Sequence, residues 1–111
     1  MAREIVNSHN FTAKDNFNVR GAMKLESAKG QTLTVLGCAT GNDVSGETGE
    51  IVETGYLKTT AGMFSTISKT AIDGIDALID CFADMGTDSI EITVETRTSN
   101  AGRAFIVLTM I

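Results

Sequence analysis

The 111-residue chain holds one histidine, His9, and two cysteines, Cys38 and Cys81. His9 lies in the polar run Asn7-Ser8-His9-Asn10, expected to be mobile, so a nucleophile-and-base arrangement has little to draw on. The cysteines fall on different predicted elements with neither CxxC nor His-rich spacing, which favours thiols packed as small apolar groups over a disulfide or a metal site. Asp73, Asp76, Asp80 and Asp84 share helical spacing, but an ordinary solvated helix face carries the same pattern as a cation site. Gly41, Gly46 and Gly49 form no GxGxxG and lead to no GK[ST], so they read as turn residues and not as a phosphate loop. The expectation is a non-enzymatic chain without cofactor or metal.

What remains is a set of cations and polar groups. Arg20, Lys24, Tyr56, Lys58, Arg97 and Arg103 fall on predicted strands or at their ends, and Lys29 and Asn100 on predicted hairpin turns. Proteins that hold single-stranded nucleic acid use cations to track the backbone and aromatic rings to stack on bases. Among six aromatics, Tyr56 is the expected stacking residue, while Phe17, Phe64, Phe82 and Phe105 are assigned to the core. The formal charge of −5 opposes a polyanionic partner. It is unevenly spread, however. Up to residue 30, Arg3, Lys14, Arg20, Lys24 and Lys29 outnumber Glu4, Asp15 and Glu26, whereas from Asp73 onward only Arg97 and Arg103 face Asp73, Asp76, Asp80, Asp84, Asp88, Glu91 and Glu95.

The elements that must position these residues follow from periodicity. Phe17 to Glu26 alternates with period two, predicting a strand with Phe17, Val19, Met23 and Leu25 inward. Ala28-Lys29-Gly30 turns it into a second strand, Gln31 to Cys38, as a hairpin. Thr40 to Gly49 has the composition of a surface loop, Glu50 to Thr60 reads as a third strand, and Met63 to Thr66 as a short one. Ile72, Ile75, Leu78, Ile79 and Phe82 then form one helical stripe, with Thr70 and Asp73 as a loose capping box and Gly86 at the C-terminal stop. Ser89 to Arg97 alternates with Ile90, Ile92 and Val94 inward, Ser99-Asn100-Ala101-Gly102 turns, and Ala104 to Ile111, apolar on both faces, predicts a central or doubly covered strand.

This predicts a mainly β chain with one helix, in the order β-β-β-α-β-β of a five-stranded OB-like barrel, with residues 1–15 as a flexible segment and 16–111 as a single domain. No apolar run approaches the ~20 residues that span a bilayer, and the N-terminus lacks the apolar stretch of a secretory signal, so a cytoplasmic protein is expected.

Two stretches, Thr59 to Ser68 and Arg97 to Phe105, resemble the small single-stranded DNA-binding proteins of tailed phages. The first is similar to that group's Thr-x-Gly-x-aromatic-x-Thr-x-Ser strand end before a helix. The second is similar to its closing hairpin, where a basic residue precedes Ser-x-x-Gly-Arg-x-aromatic. The resemblance spans about residues 17 to 111 and implies a replication-associated protein that coats displaced strands with little sequence preference. Ser65, Thr66 and Ser68 match the first motif, and Arg97, Ser99, Gly102 and Arg103 the second; neutral Ala101 and the acidic helix depart from the pattern.

The resulting expectation is a single-stranded DNA partner, acting in replication or recombination, held by Arg20, Lys24, Lys29, Tyr56, Lys58, Arg97, Asn100 and Arg103. Its alternative is an acidic phage-encoded interaction module, an inhibitor or assembly subunit, whose helix engages a basic host protein. The apolar last strand offers an edge through which a homo-oligomer would form.

Overall fold

The computed structural model describes residues 4–44 and 48–111. In chain order the elements are β1 (Glu4–His9), α1 (Ala13–Asn18), β2 (Met23–Lys24), β3 (Thr32–Val44), β4 (Ile51–Thr59), β5 (Gly62–Thr66), α2 (Lys69–Met85), β6 (Ile90–Thr98) and β7 (Ala104–Met110). Two 3-10 turns, Val19–Gly21 and Leu25–Ala28, flank β2. The chain is mainly β, with one curled mixed sheet ordered β2-β5-β4-β3-β6-β7 and β1 added to β3. The architecture is compatible with an OB-like fold, but its described residues make seven strands and two helices where five strands and one helix are predicted.

The 13-residue strand β3 organises the sheet. One edge pairs antiparallel with β4 from Val35 to Val44, across a bulge between Val35 and Gly37. The other edge is divided: Thr32 to Val35 pair with β6, and Cys38 to Asn42 pair with β1. Thr40 to Val44, predicted as loop, are therefore strand: β4 pairs with all five and β1 with Thr40 to Asn42, which outweighs local turn composition. The rest of that predicted loop includes 45–47, outside the described residues. Residues 4–9, placed by sequence in a flexible segment, supply β1. Gly41 permits their approach, since a Cβ there would collide with the Glu4 carbonyl.

Helix α2 covers one face of the sheet. Its stripe of Ile72, Ile75, Leu78, Ile79 and Phe82 is buried as the periodicity requires, against Leu33, Val35, Leu57, Phe64, Ile92, Val94 and Ile106. Each large side chain so buried contributes on the order of 1.5–3 kcal/mol. Gly86 ends the helix in the left-handed region at φ 61°. The N-cap is Ser68, without a side-chain cap bond; the Thr70 hydroxyl instead donates to the Ile106 carbonyl at 2.7 Å, tying α2 to β7. Strand β7 lies at the end of the sheet and not at its centre; its apolar inner face meets α2, and Phe105 and Val107 on the other face are half-buried. Cys38 and Cys81 are free thiols, and burial, with the negative charge of Asp76, pushes the Cys38 thiol up to about 12.

The predicted strand over Phe17 to Glu26 is the main local correction. A capping box starts α1: the Thr12 hydroxyl accepts from the Asp15 N–H at 3.2 Å, and the Thr12 N–H donates to Asp15 Oδ2 at 2.9 Å. The chain then passes through 3-10 turns, so Val19 and Leu25 are buried while Phe17 and Met23 are exposed. Met23 and Lys24 pair parallel with β5, not in a hairpin with β3. Apolar residues two apart did not distinguish a strand from a succession of tight turns.

Gly41→Ala is expected to lower the unfolding free energy by about 1–3 kcal/mol, the range for overpacking a tight site. Urea titration measures it.

Candidate nucleic-acid interface

The β6–β7 hairpin carries three of the predicted ligands, Arg97, Asn100 and Arg103, in and beside a hydrogen-bonded turn. Its loop Asn100-Ala101-Gly102 is closed by Ser99 N–H to the Arg103 carbonyl at 2.8 Å and Gly102 N–H to the Ser99 carbonyl at 2.9 Å. The Ser99 hydroxyl accepts from the Arg103 N–H, and Gly102 takes φ 82°, the left-handed residue of a three-residue hairpin loop. Arg97 stands opposite Phe105 across the strands. The turn bearing Lys29 is stitched alongside by Gly30 N–H to the Val94 carbonyl at 2.7 Å and Val94 N–H to the Gln31 carbonyl at 3.1 Å. Lys29, Arg97, Asn100 and Arg103 are thus brought to one end of the sheet. All four are exposed. Arg97 has one loose carboxylate neighbour, Glu95 at 3.9 Å.

At this end the curled sheet leaves a seam between its two edges. A cavity of about 190 Å³ is lined by Glu26, Lys29, Ser68, Thr96, Ala104, Phe105 and Ile106. A second, of about 510 Å³, is bordered by Lys24, Glu26, Thr54, Ser65, Thr66 and Ile67. Glu26 belongs to both, and its Oε1 accepts the Thr66 hydroxyl at 3.0 Å. Exposed Lys24 therefore lies one cavity away from Lys29, with the motif residues Ser65, Thr66 and Ser68 along the same path.

Arg20 stands on the 3-10 turn after α1, its guanidinium 4.4 Å above the ring of Phe17, which is 62 % exposed. Sequence reasoning assigned both Phe17 and Phe105 to the core and so missed two accessible rings. For Phe105 a signal was present, since it closes the second motif opposite Arg97; for Phe17 there was none.

Two predicted ligands are used otherwise. Tyr56 is 3 % exposed, packed beneath Phe11 with ring centroids 5.9 Å apart and clustered with Val19 and Ala39. Its ring is closed to a base because the segment after β1 folds over this face of the sheet. Lys58 lies on the same face and binds Asp15 Oδ2 at 2.9 Å, with both side chains largely buried. Burial pushes the Asp15 carboxyl up, but the bond from Lys58 and those with Thr12 outweigh it and hold the pKa below the ordinary 3.8.

None of the α2 aspartates lines either cavity. Asp73, Asp80 and Asp84 are exposed on α2, whereas Asp76 turns inward and accepts the Thr40 hydroxyl at 2.6 Å. Among the described residues no group of three metal-ligating side chains occurs, and no helix is long and apolar enough to cross a membrane.

Residues 16–111 match the family model described as phage single-stranded DNA-binding protein. The chain belongs to that family. No curated protein and no solved structure matches it. As a member of this phage single-stranded DNA-binding family it is a nucleic-acid-binding protein of a non-enzymatic family, with single-stranded DNA as the partner.

Because the folded pKa of Asp15 is depressed, the Asp15–Lys58 pair stabilises the fold above the unfolded carboxylate pKa, and that contribution is lost as pH falls through the folded value. Asp15→Asn should therefore be less stable than the parent at pH 7 and lose less on acidification below about pH 4. Unfolding free energies measured across that range give the comparison.

Proposed function

We propose that this chain coats displaced single-stranded DNA with little sequence preference during phage replication or recombination in the host cell, and that it holds the strand along the seam from Lys24 past Lys29 to the β6–β7 hairpin. The observation that carries this reading is the joining of Lys29, Arg97, Asn100 and Arg103 with the half-buried ring of Phe105 at one end of the sheet, beside a cavity that none of the α2 aspartates lines. Arg97 and Arg103 meet phosphates, Asn100 and the motif serines donate hydrogen bonds, and Phe105 stacks on a base. Arg20 and Phe17 extend the path as a paired cation and ring. Tyr56 and Lys58 serve the fold.

The net charge of −5 does not defeat this arrangement. Screening falls off over a Debye length of about 8 Å at physiological salt, so a strand senses the charges that line its path far more than those beyond α2. The rival reading, an acidic module that engages a basic host protein through α2, draws on the same segregation of charge. Free oligonucleotide separates the two, because such a module would ignore it.

Fluorescence anisotropy with a labelled oligonucleotide should show binding that weakens as salt rises. Absence of binding at low salt, or indifference to salt, would sink the proposal. Arg103→Ala should weaken binding to all sequences alike and reduce the slope of log K against log salt by roughly 0.7, the value per phosphate contact on a single strand. Phe105→Ala should cost about 1–3 kcal/mol of binding with the salt slope unchanged, the signature of a lost stacking contact. Tyr56→Phe should leave affinity as it was.

A further inference from the structure

One carboxylate stands inside the proposed path. Glu26 lines both seam cavities, with Lys24 bordering one and Lys29 the other. It is half-buried on a 3-10 turn, and the bond from Thr66 holds its carboxylate in place. Its Oε1 is engaged by the Thr66 hydroxyl, and among the described residues neither lysine forms an ion pair with it. A carboxylate at this place repels phosphate, so the backbone of a bound strand must run along the flanking cations and present a base edge to Glu26.

We infer that Glu26 is a base-edge acceptor that discriminates against thymine; this rests on the proposed path of the strand. An ionised carboxylate only accepts hydrogen bonds. Cytosine offers its N4 amino group, the donor that Glu and Asp side chains take up in base recognition, and adenine offers N6. Thymine's single imino N–H lies between two carbonyl oxygens, which face the carboxylate with like partial charge. The result is a modest bias superimposed on stacking and phosphate contacts that are blind to sequence, from one side chain at one nucleotide position. Glutamine at the same place keeps the oxygen that accepts Thr66 and adds a donor for the thymine carbonyls, so Glu26→Gln removes the discrimination without removing the internal bond.

The test is anisotropy titration of dC and dT oligonucleotides of equal length with the parent chain and with Glu26→Gln, each checked for thermal unfolding. The quantity read is the ratio of dC to dT affinity, which cancels the general gain expected from deleting a negative charge. It should fall about three- to tenfold in the variant, the net worth of one ordinary hydrogen bond in a partly wet groove. A ratio that does not change between the two proteins overturns the role of Glu26 while leaving the proposed path standing. Failure of the parent chain to bind either oligonucleotide overturns the path itself, and the inference with it.

Discussion

The molecule depends on how the backbone hydrogen bonds of β3 are satisfied. A strand of 13 residues has too many donors and acceptors on each edge to be left open, and here β4 takes one edge while β6 and β1 share the other in succession. Two strands on one edge of a single strand must diverge, and with the bulges in β3 and β1 they bend the sheet. The bend gives α2 a face to pack on, and it brings the β5 side of the sheet towards β7. The Thr70 to Ile106 bond and the Glu26 to Thr66 bond secure that approach. The seam is what the curl leaves open between them.

The second layer of packing explains why the ligand set is smaller than a count of cations suggests. The face opposite α2 is occupied by the segment from Phe11 to Ala22, which closes over Tyr56 and Ala39 and is pinned by Lys58 and Asp15. Lys58 and Asp15 are both shielded from bulk solvent there, so each serves as the other's charge partner in that docking. The middle of the sheet, around Cys38, Ala39, Tyr56 and Leu57, is covered on both faces. The seam and the β6–β7 hairpin remain as polar surface carried on hydrogen-bonded backbone, which is what a site needs to present cations and a ring at fixed spacing.

Charge follows the same division. α2 buries its apolar stripe and turns Asp73, Asp80 and Asp84 to solvent, on the side of the helix away from the sheet, while Asp76 is retained within by Thr40. An acidic chain can therefore offer a cationic surface, because the exposed α2 aspartates line neither seam cavity.

The helix was legible in the chain by itself, since five large apolar residues at helical spacing admit one packing arrangement and Gly86 supplies a stop that few residues can. So were β4, β5, β6 and the hairpin turn at Ser99 to Gly102, where alternation and turn chemistry agree with the tertiary pairing. The cationic hairpin could be named for the same reason: its residues are close in sequence, and the turn alone sets their spacing. Only the tertiary structure decided the rest. Residues 4–9 became β1, and Thr40 to Asn42 their partners in β3, through pairing between segments more than thirty residues apart. Phe17 came out and Tyr56 went in because a two-residue alternation says nothing about which layer will cover which face. The seam, with Glu26 between its lysines, exists because distant edges meet, and no local pattern records that meeting.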